Sequence, residues 1–289
     1  MTTREEFYKL LERGGYVGDA ILCTALSMAD KLNRPILLEG EAGVGKTFLA
    51  SALASTMNRK LIRLQCYEGM DAAQTLYEWN YQKQIITIAQ SKDSENKQSP
   101  DLFSEEFLLE RPLLAAIRQN EAPILLIDEI DRADEEFEAF LLELLSEYQI
   151  SIPEMGVVKA SSIPLVILTS NNTRELSDAL RRRCLYHYLD YPDVPTETKI
   201  IQAQVPECSE ELAGKIAAFI KNIRMEDLKK TPGIAETLDW ARALVGLNVN
   251  DLLERPEEIY TTLLCILKTK DDRDQIPIEI YEKLAGSIN

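Results

Sequence analysis

Between Leu37 and Ala50 the chain reads LLEGEAGVGKTFLA, three glycines and a lysine set between an apolar run and the start of a helical pattern. Gly40 to Thr47 fits the spacing G-x-x-x-x-G-K-[ST]. Glycines let a backbone fold closely around a phosphate chain, so that successive N–H groups and the following helix N-terminus face its negative charge. Lys46 would then reach the β and γ phosphates, and the Thr47 hydroxyl would take one Mg2+ position. Glu41, Ala42, Gly43, Val44, Gly45 and Phe48 complete the cradle expected to hold ATP or ADP.

A second stretch supplies carboxylates. In APILLIDEIDRADEEFEAFLLELL the apolar residues Ile124, Leu125, Leu126 and Ile127 run directly into Asp128 and Glu129. A buried strand ending this way places both acids at the carboxyl edge of a sheet, where open α/β sheets bind ligands. Asp128 is the expected magnesium partner. Glu129 would polarise an attacking water, since phosphoryl transfer to solvent needs an oriented nucleophile as well as charge neutralisation. Asp134, Glu135, Glu136 and Glu138 read instead as a solvated helix face, with Phe137, Phe140, Leu141, Leu144 and Leu145 opposite them.

Five short runs rich in Ile, Leu and Val must position these groups: PILLEG, KLIRLQC, APILLIDE, PLVILTSN and CLYHYLDY. They alternate with helical stretches, which predicts an α/β fold with a parallel sheet flanked by helices. After YPDVP, around Tyr191 to Pro195, amphipathic helical patterns take over, as in EELAGKIAAFIKNIR and EEIYTTLLCILKT. Residues 1–192 are therefore read as an α/β nucleotide-binding domain and 193–289 as a small all-α domain. SKDSENKQSPD, Ser91 to Asp101, reads as a surface loop.

The composition is that of a globular chain: 289 residues, 45% hydrophobic and 28% charged. A formal charge of −16 argues against broad binding to phosphate backbones, which requires a basic surface. The start MTTREEFYKL lacks the apolar core of a signal peptide, and no apolar run approaches the ~20 residues of a membrane span. A cytoplasmic location is the expectation. The five cysteines have no C-x-x-C pair and read as buried thiols rather than zinc ligands. His187, inside CLYHYLDY, reads as a sheet or core residue.

The two phosphate-directed stretches define a P-loop nucleotide-binding class. The further order of elements, with PLVILTSNNTRELSDALRRRCLYHYLDYP followed by the helical tail, resembles the AAA+ ATPases. Within them, LIRLQCYEGMDAAQTLYEWNYQKQ, DEIDRADEEFEAFLLELLSEYQISIPEMG and AETLDWARAL resemble the MoxR branch, in particular the CoxD-like accessory proteins of carbon monoxide dehydrogenase maturation.

That resemblance implies roles for further residues. Asn171, with Asn172 beside it, falls at the sensor-one position. Arg183, with Arg182 as runner-up, falls at the arginine finger that reaches a neighbouring subunit's nucleotide. Arg242 matches the sensor-two arginine of the helical lid, although common MoxR members carry a Gly/Ser/Pro-containing turn before it. GGYVG resembles the adenine-side loop, with Tyr16 and Val17 as its walls. EGMDAAQTLYEWNYQKQIITI resembles an insertion in the second helix, and YQISIPEMGVVKA the hairpin before sensor one, both on the pore surface of a ring. A plainer reading has Leu76, Trp79 and Tyr81 simply packing on the core.

The resemblance also implies Mg2+-dependent ATP hydrolysis in a ring, a hexamer by default. The implied partners are a protein with a von Willebrand factor A (VWA) domain and a protein client, a molybdenum-containing or other metalloenzyme. Two rivals share the same residues. A nucleic-acid motor or clamp-loader-like switch is disfavoured by the acidity. A non-hydrolysing adaptor would require a damaged Glu129 or finger.

Overall fold

The computed structural model describes residues 2–70, 75–92, 101–153 and 155–288. The chain packs as two compact units. The first takes the segments up to Phe7, Ala20–Glu39 and Leu53–Tyr188; the second takes Tyr8–Asp19, Gly40–Ala52 and the chain from Leu189 onward. The units therefore interleave in sequence, whereas the sequence reading divides the chain once, after residue 192.

In chain order the first elements are α1 (Arg4–Arg13), α2 (Ala20–Leu32), β1 (Ile36–Gly40), α3 (Lys46–Met57) and β2 (Leu61–Gln65). Next come β3 (Tyr77–Trp79), α4 (Tyr81–Lys92), β4 (Leu108–Glu110), α5 (Pro112–Ile117), β5 (Ile124–Asp128) and α6 (Glu135–Glu147). They are followed by β6 (Gln149–Ile152), β7 (Gly156–Lys159), β8 (Leu165–Ser170), α7 (Asp178–Arg183) and β9 (Leu185–Leu189). The five apolar runs named above form one sheet in the order β2-β5-β8-β1-β9. The pairings β2–β5, β5–β8 and β8–β1 are parallel.

Every position of β1, β5 and β8 is buried, as central strands covered on both faces require. Edge strand β2 alternates instead: Ile62 and Leu64 enter the core, while Arg63 and Gln65 are exposed on the other face. Its register sets Gln65 beside Asp128, and that of β1 sets Glu39 beside Ser170.

The expected hairpin is present as antiparallel β6 and β7. The segment resembling a helix insertion contains β3, paired antiparallel with β4, and the start of α4. Leu76 and Trp79 are buried in the core, but Tyr81 is 61% exposed, so core packing accounts for two of those three residues. Of the expected loop at 91–101, Ser91 and Lys92 instead finish α4, and 93–100 lie outside the described residues.

Helix α6 departs from the sequence reading at two positions, Phe140 and Glu138, while Asp134 is exposed as expected. Phe140 is exposed. Asp134 caps the helix, accepting the Phe137 N–H at 2.8 Å. Glu138 is buried rather than solvated, because it accepts from the Arg174 guanidinium and from the Ser177 N–H. A buried carboxylate persists when such donors replace its water.

The second unit is helical beyond β9: α8 (Val194–Gln204), α9 (Glu210–Ile223), α10 (Ile234–Gly246), α11 (Pro256–Thr262), α12 (Lys270–Gln275) and α13 (Ile278–Gly286). Phe219, Trp240 and Tyr281 anchor its core, with ring centroids 5.0 and 5.4 Å from Phe219. Cys23, Cys66, Cys184 and Cys208 are buried thiols, while Cys265 is half-buried. His187 is buried, as expected of a sheet residue.

Candidate nucleotide site

The phosphate loop lies in the second unit and is made of backbone. Gly43 and Gly45 have φ of +82° and +94°, which side chains rarely tolerate. A Cβ on Gly40 would stand 2.2 Å from the Leu189 carbonyl oxygen, and one on Gly43 2.8 Å from Gly233 Cα. Lys46 opens α3, is buried, and donates from Nζ to the carbonyl oxygens of Gly40 and Glu41, at 2.7 Å each. Thr47 is half-buried beside it, while Glu41, Ala42, Gly43 and Phe48 are exposed. Tyr16 stacks on Phe48 at 6.0 Å, its ring 3.7 Å from where a Cβ on Gly45 would stand, whereas Val17 is half-buried. The expected adenine-side loop and phosphate loop are thus brought together.

Behind the loop stands a polar network that the sequence reading missed. The Gly43 carbonyl accepts the N–H of Ile234, first residue of α10, at 2.8 Å. The Ala42 carbonyl accepts the Tyr191 hydroxyl at 3.3 Å. The Arg224 guanidinium lies 4.4 Å from the Tyr191 ring centroid and donates to the Pro232 carbonyl. It also forms a bidentate pair with buried Glu197 at 2.7 and 2.8 Å, and Glu197 accepts the Thr237 hydroxyl as well. These contacts seat the loop before α10 against the phosphate loop.

The acidic strand end lies in the first unit and is made of side chains. Asp128, 2% exposed, accepts the Thr169 hydroxyl on Oδ1 and the Arg63 guanidinium on Oδ2, with Nε at 3.0 Å. The Thr169 oxygen in turn accepts the Glu129 N–H at 2.9 Å. Glu129 holds a left-handed conformation, φ 55° and ψ 51°, which costs a non-glycine residue free energy and often marks a working position. Its carboxylate pairs with Arg132 at 3.0 Å. Burial pushes the Cys66 thiol up to about 12, reinforced by the charges of Asp128, Asp131 and Glu129.

Among the described residues no group of three or more His, Cys, Asp or Glu side chains could hold a metal.

Asn171 is half-buried and Asn172 exposed, the latter in the left-handed region at φ 57°. Their turn hangs on buried Asp131, which accepts the N–H groups of Asn171 and Thr173 and the Thr173 hydroxyl. Burial opposes ionisation of Asp131, but these hydrogen bonds outweigh it and hold the carboxyl below its ordinary range.

Helix α7 presents its arginines differently. Arg181 pairs with Glu39, and Arg183 donates to its own Ser146 hydroxyl and Ala179 carbonyl. The exposed Arg182 side chain makes no hydrogen bond or ion pair among the described residues. Arg34 clamps the backbone carbonyls of both Arg182 and Arg183. Arg242 is half exposed and pairs with Asp239. It lies about two turns along α10 from the end that meets the phosphate loop, on the order of 12 Å at the helical rise, and is not brought to that loop.

Sequence signals existed for some of what was missed. Arg63 is a charged residue at the strand period in KLIRLQC, and Thr169 is the first polar residue at the end of PLVILTSN. The Tyr191–Arg224–Glu197 set has no fixed spacing to reveal it.

A glycine-rich loop after β1 and paired acids ending β5 of the same parallel sheet define a P-loop nucleoside triphosphatase fold. The family described as AAA domain (dynein-related subfamily) matches residues 35–184, just over half of the chain, and the protein belongs to that family. Uncharacterized proteins of Staphylococcus saprophyticus and Staphylococcus haemolyticus are 27% and 29% identical to it, over 85% and 86% of this chain and 88% and 89% of theirs. A crystal structure of a provisionally assigned ATPase from Cytophaga hutchinsonii shares the fold, with TM-score 0.50 and 17% identity over 99% of this chain and 95% of that one. Among the described residues no helix is long and apolar enough to cross a membrane.

Proposed function

We propose that the protein is a Mg2+-dependent ATPase of the MoxR type that remodels or matures a protein client. The strand-end geometry carries this reading: Glu129 is held in a left-handed conformation, its N–H fixed through Thr169 to Asp128. Such an arrangement supports separate roles for the two acids, Glu129 toward a water and Asp128 toward a metal. Thr47 and Asp128 would hold Mg2+, which neutralises charge on the β and γ phosphates when bound. Lys46 and the loop amides bind the phosphates, with Tyr16 and Val17 on the adenine side. Glu129 takes the proton of the attacking water, and Asn171 orients that water.

The assembly is a ring, a hexamer by default, completed by an arginine supplied in trans. Arg182 and Arg183 are the candidates, and the outward presentation of Arg182 favours it over Arg183. Hydrolysis would drive the helical lid and pass that movement to a client together with a VWA-domain partner. The CoxD-like resemblance makes metalloenzyme active-site maturation the task, in the cytoplasm.

ATP hydrolysis measured against protein concentration tests this reading. Specific activity should rise with concentration, and it should fall about 10³-fold in Arg182→Ala, with ADP binding retained. Activity flat with concentration and indifferent to both Arg182→Ala and Arg183→Ala would sink the shared site. The nucleic-acid motor remains the second reading, opposed by the charge of −16. Turnover stimulated by single- or double-stranded DNA in the same assay would favour it.

A further inference from the structure

We propose that Arg63 is a positioning residue that occupies Asp128 while the metal is absent and yields to it, and so sets the affinity of the site for the metal. This rests on the reading above that Asp128 receives Mg2+. A carboxylate that holds a metal, or a water on a metal, must offer an oxygen lone pair to it. Here both Asp128 oxygens already accept from donors: Oδ1 from Thr169, and Oδ2 from two nitrogens of Arg63. Oδ1 keeps a lone pair beside its Thr169 bond, but Oδ2, which already accepts twice, can serve a metal only when a donor gives way.

The two donors differ in how readily they can. Thr169 is 1% exposed in central strand β8, and its oxygen simultaneously accepts the Glu129 N–H. Moving it would orphan a backbone donor and release the residue the mechanism needs most. Arg63 stands on edge strand β2 with half of its side chain exposed. Its Nη2 already donates to Gln65 Oε1, two residues along on the same face. Swinging onto Gln65 and water leaves nothing buried unpaired.

Charge points the same way. Arg132 pairs with Glu129 as Arg63 pairs with Asp128, so each acid has a cation beside it. A divalent ion binding Asp128 must compete with the positive guanidinium, and its binding is weakened by the work of displacing it. An arginine suits this role because its planar fork grips one carboxylate through two N–H groups yet remains weakly hydrated when it moves. The consequence is an Asp128 that stays aligned and neutralised while metal is absent and binds it more weakly than a bare carboxylate would.

The test uses the full chain loaded with ADP, titrated with Mn2+ and followed by electron paramagnetic resonance. Arg63→Gln should bind Mn2+ about 3- to 10-fold tighter than wild type, and Arg63→Lys, which keeps the charge, within about 2-fold of wild type. In an Asp128→Asn background the Arg63→Gln change should make no difference. Unchanged or weaker Mn2+ binding in Arg63→Gln overturns the proposal, as does the same gain with Asp128→Asn, which would show a diffuse charge effect. Binding of a fluorescent ADP analogue in EDTA reports the nucleotide reading separately: if wild type does not bind it, that reading falls first. Thermal melts check that the variants fold, and Arg63→Lys supplies the comparison if Arg63→Gln does not.

Discussion

The phosphate loop and the acidic strand end are built on opposite principles. The loop is backbone: positive-φ glycines, a lysine holding two carbonyls, and a carbonyl met by the N–H that opens α10. The strand end is side chain: Asp128, Thr169, Arg63 and the Glu129 N–H interlock across three strands. A backbone site should resist any added atom, whereas a side-chain site should let binding and turnover be separated by single substitutions.

Glu129→Gln is the strongest test of that separation. Turnover should fall about 10²- to 10⁴-fold while affinity for an ADP analogue stays within about 2-fold; a large loss of binding would merge the two halves. Gly43→Ala should break the backbone half. The left-handed φ and the approach to Gly233 should cost on the order of 1–3 kcal/mol, read as a lower melting temperature with weakened nucleotide binding. An unaltered melt and affinity would mean the glycine contact is easily parted.

Thr169→Ala should cost roughly 1–2 kcal/mol of stability and lower turnover, through lost alignment of Asp128 and Glu129. Asp131→Asn should destabilise by a similar or smaller amount at neutral pH. Because the folded Asp131 carboxyl titrates below its unfolded value, its contribution is complete above about pH 4 and is lost as the pH falls through the folded value. Wild type and variant should therefore converge in acid urea melts, and a gap that persists would assign the effect to packing. The smallest change is expected of Arg242→Ala, whose exposed pair with Asp239 contributes at most about 1 kcal/mol. A large loss of turnover there would restore it to the nucleotide.

The same contrast explains what could be read in advance. All five sheet strands were legible, because buried parallel strands must be short continuous apolar runs. The places of Lys46 and Thr47 at the start of α3 and of Asp128 and Glu129 at the end of β5 were legible because spacing along the chain is what sets a backbone cradle and a strand end. Glu138 and Arg63 were not: whether an acid is solvated or an arginine is an exposed charge depends on a partner in another element, Arg174 for one and Asp128 for the other. Interleaving of the two units was also hidden, since it arises from tertiary contacts such as Gln204 Nε2 donating to the Gly15 carbonyl.

Gly43 and Gly233 touch through their bare backbones, each blocking a Cβ on the other at 2.8 and 2.7 Å. Neither can be the first to change: a larger residue at one position is a clash for as long as the other stays put, and shrinking its partner is not an option for a residue with no side chain to lose. Two points far apart in the chain are thus locked to one spelling, and a library that randomises both together should return glycine at both whenever folding is selected.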